Sequence, residues 1–372
     1  MSGKALGTCA GVLAAVGFYA LPPGSHQDQA ADHLSPSASI AARLRDDALS
    51  RARTRIGDFN RDALVAEPRD PKEVLTRDEV SCTFVRHAPG GTSLKFDCTL
   101  DDGEVIRVKY AHQPEIHAEV AATRLLAALG YASDHVYMVH RVHCRGCPLN
   151  PFVTTQLLDA IGLDGDETSR ATSNDQRDFE WVAVERKFDA APIEDERREG
   201  WAWWELKMVQ APRVELDALR LLAVFLAHWD NKADNQRLVC MNQSLEEEEP
   251  QACRDSVLMI QDVGATFGPT KVNLSQWRHV PLWADRATCT VSMHAMPYRG
   301  ATFGDAQISD EARVRVGSEL AAFSDADLRK WFADARFPQF YENTDDGKDL
   351  DAWVSAYRDR VSQMLSAGPC PP

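Results

Sequence analysis

The chain has 372 residues, 44% of them hydrophobic and 26% charged, an ordinary globular composition with room for one large domain or two lobes. Its net charge of −15 argues against nonspecific binding to nucleic acid or to an anionic membrane, since both require basic surface. A local basic cleft stays compatible with that charge.

The first feature in chain order is an apolar run, Ala5 to Leu21, after Lys4 and broken by Pro22, Pro23 and Gly24. It is short for a bilayer span and fits the middle of an export signal, either cleaved or kept as a short anchor. Residues 22–40 lack an apolar period and read as linker. Residues 39–56 read as a polar, Arg-rich helix acting as a solvated brace. From Val80 the pattern alternates. Cys82 and Phe84 share one face, as do Leu94, Phe96, Cys98 and Leu100. Pro89-Gly90-Gly91 makes the turn between these strands, and centring it on Gly90 sets Phe84 opposite Phe96. Asp101-Asp102-Gly103 makes a second turn, and Val105 to Tyr110 is a third strand, with Lys109 on the face opposite Ile106 and Val108.

Pro114 opens a helix that Gly130 ends, and Glu119 lies inside it. His135 to Arg141 and Phe179 to Phe188 read as strands, with Asp164 to Asp178 as loop between them. Trp201, Trp203 and Trp204 are expected to pack rather than to cage a ligand. Val214 to Trp229 is apolar nearly all round between Ala218 and Ala227, the signature of a buried helix. That helix ends at His228-Trp229-Asp230-Asn231-Lys232-Ala233-Asp234-Asn235. Short strands at Val239 and at Leu258-Met259-Ile260 follow, flanking an acidic loop with Glu246 to Glu249, and Asp262-Val263-Gly264 comes next. The last third is helical, about 310–322, 325–335 and 349–365, with Ser309 and Ser324 as N-caps and with Trp277, Trp283 and Trp331 in its core.

Removing Cys9 with the apolar run leaves eight cysteines, an even number that suits an oxidising compartment. Cys82 and Cys98 lie equidistant from Gly90, and Cys240 and Cys253 bracket the acidic loop. Cys144 and Cys147 form a lone C-x-x-C with no second pair to complete a zinc ribbon. Structural disulfides are expected, with Cys289 and Cys370 paired by elimination.

The order of these features resembles the protein kinase-like fold. His228 to Asn235 is similar to the kinase catalytic loop H-R-D-L-K-x-x-N, with Trp229 in place of the arginine, and Asp262-Val263-Gly264 is similar to D-F-G. The helix around Ala118-Glu119-Val120-Ala121-Ala122 resembles that of the secretory-pathway (Golgi casein kinase-type) kinases. The resemblance covers roughly residues 80–365 in order of motifs. It implies an α+β, two-lobe fold: a small antiparallel sheet lobe with one helix, then a larger, mainly helical lobe. The implied domains are a signal or anchor at 1–21, linker and polar helix at 22–75, a sheet lobe at 76–190 and a helical lobe at 191–372.

The resemblance also implies an exported atypical kinase that uses ATP with Mg²⁺ or Mn²⁺ to phosphorylate a hydroxyl on a protein, sugar or lipid acceptor. Nucleic acid is not an expected partner, and membrane contact is expected only through an N-terminal anchor. Lys109 would hold the nucleotide's phosphates and pair with Glu119, under a turn made by Gly90 and Gly91. Asp230 would orient the acceptor hydroxyl, Lys232 would steady the transferring phosphate, and Asn235 and Asp262 would bind the metal. The chain departs from the pattern by lacking G-x-G-x-x-G and A-P-E. Transfer of AMP on the same scaffold, or a non-catalytic pseudokinase module, would use the same residues differently.

Overall fold

The computed structural model describes residues 36–66, 70, 72–111, 113–166, 169–171, 175–243, 253–268, 272–294, 303–340 and 347–371. The apolar run at 1–21, residues 22–35 of the linker expected at 22–40, Glu246 to Glu249 and parts of 164–178 lie outside the described residues; the linker's last five residues, 36–40, are helix instead. Residues 36–372 form one compact unit of α+β architecture. No helix among the described residues is long and apolar enough to cross a membrane.

Helix α1 (Pro36–Arg51) opens the unit. It is more than a solvated brace, because Ala48 and Leu49 are fully buried. Its Arg45 is buried and donates to both Glu205 oxygens at 2.9 and 3.0 Å and to the Gly200 carbonyl at 2.6 Å. A short α2 (Asp62–Val65) follows.

Five strands then close into a barrel: β1 (Glu79–Phe84), β2 (Lys95–Thr99), β3 (Val105–Lys109), β4 (His135–Arg145) and β5 (Gln176–Arg186), in the order β1-β2-β3-β5-β4. The barrel corrects the expected all-antiparallel sheet. The β1–β4 pair that closes it is parallel, with Cys82 beside Cys144. The first hairpin is also set one residue differently. Phe84 faces Cys98, so the pairing centres on Gly91, and Phe84 meets Phe96 diagonally at 6.1 Å. Inward-facing Phe84, Phe96, Cys98, Ile106, Val108 and Val184 fill the barrel.

The barrel region carries two helices where one was expected. Helix α3 (Pro114–Ala128) is the expected one. Helix α4 (Pro151–Ala160), capped by Asn150 accepting from the Val153 N–H, lies against β2 and leaves Val153 and Leu157 exposed.

Beyond the barrel come β6 (Ala191–Pro192), a 3-10 turn at Trp203–Met208, and α5 (Arg213–Leu226). A second 3-10 turn, Ala233–Asn235, leads into β7 (Gln236–Cys240), which pairs with β8 (Ser256–Ile260). Helix α6 (Leu274–His279) and the small pair β9 (Thr290–Val291) and β10 (Ala306–Gln307) precede the terminal helices. These are α7 (Asp310–Ala321), α8 (Asp325–Asp334), α9 (Phe337–Phe340) and α10 (Leu350–Leu365). Trp277, Trp331 and Trp353 are fully buried around Phe267 and Phe332; Trp283 is only partly buried. Ser324 caps α8 in a reciprocal box with Asp327, whereas the Ser309 side chain makes no capping bond. Trp201 and Trp203 are buried, but Trp204 is 60% exposed.

All eight described cysteines are paired: Cys82–Cys98, Cys144–Cys147, Cys240–Cys253 and Cys289–Cys370. The shifted hairpin register makes the first bridge diagonal rather than directly cross-strand.

Candidate active site

The apolar character of α5 buries it, and its C-terminal end is fixed in two ways. Ala227 turns the chain with φ 55°. The buried Arg360 guanidinium donates to the Val224 and Phe225 carbonyls at 2.8 and 3.0 Å, neutralising groups that a helix end leaves without partners. The loop that emerges is held internally. Asn231 donates to the His228 carbonyl at 2.9 Å, and Asn235 Nδ2 donates to the Asp230 carbonyl at 2.8 Å. It is tied to the next loop by Trp229 N–H to the Ala265 carbonyl at 3.4 Å, while the Phe267 N–H bonds the Leu226 carbonyl at 2.8 Å.

His228 is buried, and burial brings its imidazole down to about 4, so it is neutral near pH 7 and has a structural place in the loop. Asp230 is half-buried. Burial raises its carboxyl above the usual range. Lys232 and Asn235 pull the other way, while Asp262 and Glu115 add to the rise. Lys232 itself is exposed. Asp262 sits at φ 50°, a left-handed geometry that aspartate tolerates better than most residues. Its neighbour Val263 is buried, whereas its own side chain is 47% exposed.

On the barrel side, Lys109 ends β3 with its ammonium buried. It contacts both Glu119 oxygens at 2.6 and 2.7 Å, Glu185 at 3.3 Å and Asp262 at 3.8 Å. Burial opposes that charge, but the three carboxylates outweigh it and hold Lys109 well above its ordinary value. Burial also acts on the glutamates. It raises Glu119, with repulsion from Glu185 adding to the rise against the pull of Lys109. In Glu185 the attraction of Lys109 and Arg107 overcomes burial and brings the carboxyl down to about 2.

Helix α3, which carries Glu119, is fastened to the helical region. His117 Nδ1 lies 2.8 Å from the Ala335 carbonyl, Arg124 donates to Asp334 at 2.9 Å, and Trp331 donates to the Ala121 carbonyl at 2.9 Å. Its N-terminal turn meets the hairpin loop, where Ser93 bonds Glu115 and Gln113 bridges to Leu94 in both directions at 2.9 Å. Gly264 packs so close to this turn that a Cβ there would lie 3.1 Å from that of Glu115.

The structure therefore brings Lys109, Glu119 and Asp262 into direct contact and links Asp230 to Asn235 by hydrogen bonding and to Asp262 electrostatically. Gly91, at φ +85°, lies over Lys95, while Gly90 is exposed with nothing within 4 Å of where its Cβ would be. Two participants went unread in the sequence. Glu185 reaches Lys109 from the neighbouring strand β5, a pairing that local periodicity does not disclose. Lys95 was legible in principle: it alternates with Leu94 and Phe96, which places it on the Lys109 face, and the two lysines are paired in register.

Other features do not compete for this role. Among the described residues, three potential ligand atoms of His, Cys, Asp or Glu gather within 4.8 Å of one another only at Cys82, Cys98 and Cys144. Those sulfurs are consumed in disulfides. A cavity of about 500 Å³ lies by the C-terminal half of α3, lined by Thr123, Arg124, Tyr131, Asp134 and His135 among others. It contains none of the expected site residues, and the convergence of charged groups marks the site more strongly than that void does.

No protein-family profile matches the chain, and no curated protein does. Among solved structures it is weakly similar to a Helicobacter pylori proinflammatory kinase, CtkA, with 9% identity over 77% of this chain and 98% of that one, at a TM-score of 0.37. It is similar to the same degree to a Golgi casein kinase with Mn/ADP bound, with 12% identity over 88% of this chain and 86% of that one, also at 0.37. These likenesses are partial.

Proposed function

We propose that the chain is an atypical kinase of the protein kinase-like fold that moves the γ-phosphoryl group of ATP to a hydroxyl acceptor. The observation that carries this reading is the Lys109–Glu119 ion pair meeting Asp262, with the Asp230–Asn235 loop alongside. A cluster of charged groups with shifted protonation that opens onto solvent at Asp230 and Asp262 is a functional-site candidate.

The donor set fits a hard divalent cation. Asp262 offers a half-exposed carboxylate, and Asn235 uses its amide nitrogen on the Asp230 carbonyl, while its oxygen accepts no hydrogen bond among the described residues. Asp262 and Asn235 would hold Mg²⁺ or Mn²⁺, which when bound neutralises phosphate charge. Asp230 aligns the acceptor hydroxyl and takes its proton as that oxygen bonds to the γ-phosphorus and the bond to the ADP oxygen breaks. Its raised affinity for protons suits that task. Lys232, exposed beside Asp230, steadies the phosphoryl group in transit. Four buried disulfides suit an exported protein in an oxidising compartment.

The test is incubation with γ-labelled ATP, Mn²⁺ and extract of the native compartment. Label on an acceptor or on the chain itself supports phosphoryl transfer. In a parallel reaction with α-labelled ATP, label on an acceptor or on the chain there, with none from the γ-labelled reaction, indicates AMP transfer, and no nucleotide binding at all leaves a non-catalytic module.

A further inference from the structure

The outward faces of β2 and β3 carry a short row of charge. Lys95 stands opposite Lys109, and Asp97 opposite Arg107. Arg107 is satisfied by Asp97 at 2.8 and 3.1 Å. Lys109 is surrounded by Glu119, Glu185 and Asp262. Lys95 differs: it is only 8% exposed, yet among the described residues it has neither a hydrogen-bond nor an ion-pair partner. A buried ammonium left so is costly, and an incoming anion relieves the cost. Its Nζ points at the hairpin turn, where a Cβ on Gly91 would sit 3.2 Å away. The absence of a side chain at Gly91 keeps that approach open.

We infer that Lys95 is the principal phosphate-binding cation of the site, reached past Gly91, and that Lys109 chiefly holds Glu119, Glu185 and Asp262 in place. The ligand class is a polyphosphate, and its identification as a nucleotide's rests on the functional reading above. The inference reverses the role that motif order alone gives Lys109.

The experiment compares the full chain with Lys95→Met, Lys95→Arg and Gly91→Ala. Calorimetric affinities are measured for Mn²⁺-ADP, inorganic tripolyphosphate and adenosine, together with each variant's melting temperature. One charge-assisted contact corresponds to roughly a 10- to 100-fold loss. Lys95→Met should therefore weaken ADP and tripolyphosphate by about that factor and leave adenosine unchanged. It should melt no lower than the parent, because a buried unpaired charge has been removed. Lys95→Arg should keep part of the affinity, and Gly91→Ala should lose part. Unchanged ADP affinity in Lys95→Met overturns the role of Lys95 and leaves the nucleotide reading standing. A melting temperature well below the parent's makes Lys95 a structural residue and also overturns it. If the parent binds tripolyphosphate through Lys95 but not ADP, the anion site stands and the nucleotide reading falls. Binding of neither refutes both.

Discussion

Two clusters of charge meet at this site, and they are built on opposite plans. Around Lys109 the ammonium, Glu119 and Glu185 are buried, and the ammonium is saturated by those two carboxylates with Asp262 at the open edge. Around Asp230 the groups are half-open and under-satisfied. Asp230 has a raised carboxyl, Asp262 is half-exposed and Lys232 reaches solvent. A saturated buried cluster fixes geometry, since removing one member strands the rest. An under-satisfied, accessible one keeps bonding capacity for a ligand or a reacting group. The difference predicts that substitutions in the first act mainly on folding and those in the second mainly on chemistry.

The largest expected effect falls on the open cluster. Asp230→Ala should leave melting temperature and nucleotide affinity close to the parent's and lower phosphate transfer by about 10²–10⁴-fold or more, as loss of a positioned proton acceptor does. Single-turnover transfer rates measure this, and parental rates in the variant would break the comparison. On the closed side, Lys109→Met strands three carboxylates and should cost about 3–5 kcal/mol of stability in urea unfolding. Near-parental stability would show that the cluster is not the clamp its contacts imply.

A third test lies beside the closed cluster. Asp134 accepts the Phe188 N–H through one oxygen, and its other oxygen is buried with no partner. Burial, with repulsion from Glu185, raises its carboxyl to about 7. A carboxyl whose folded value lies above its unfolded one favours the fold while protonated. Its contribution is therefore present below about pH 4 and is lost as pH rises towards 7. Asp134→Asn should remove that slope and gain on the order of a few kcal/mol over the parent above pH 7. Parallel pH–stability curves for the two proteins would contradict it. The smallest effect on stability belongs to Lys232→Met. This exposed substitution should stay within about 0.5 kcal/mol of the parent while slowing transfer measurably.

Much of this was legible in the sequence where the signal was local. The terminal helices, the buried α5 and the loop it delivers follow from apolar periodicity and capping residues, and all eight cysteines paired as spacing and parity suggested. What escaped was set by contacts between distant segments. The parallel β1–β4 closure has no turn to announce it. The ten residues between β1 and β2 allow more than one hairpin centre, so symmetry about Gly90 missed the register by one position. Helix α4 carries exposed Val153 and Leu157 in place of a buried stripe, so its apolar period does not announce a core helix. Glu185 became a partner of Lys109 only once β5 had been laid beside β3, and Lys95 required that β2 and β3 be aligned residue for residue.

The most direct measurement is the thermal shift produced by Mn²⁺-ADP in the parent and in Asp262→Ala. The charge clusters as described predict a concentration-dependent rise in melting temperature for the parent. They predict none for Asp262→Ala, which still folds because its half-exposed carboxylate is the most distant of the three from Lys109. An equal rise in both proteins, or no rise in the parent, would contradict a metal–nucleotide site at this junction.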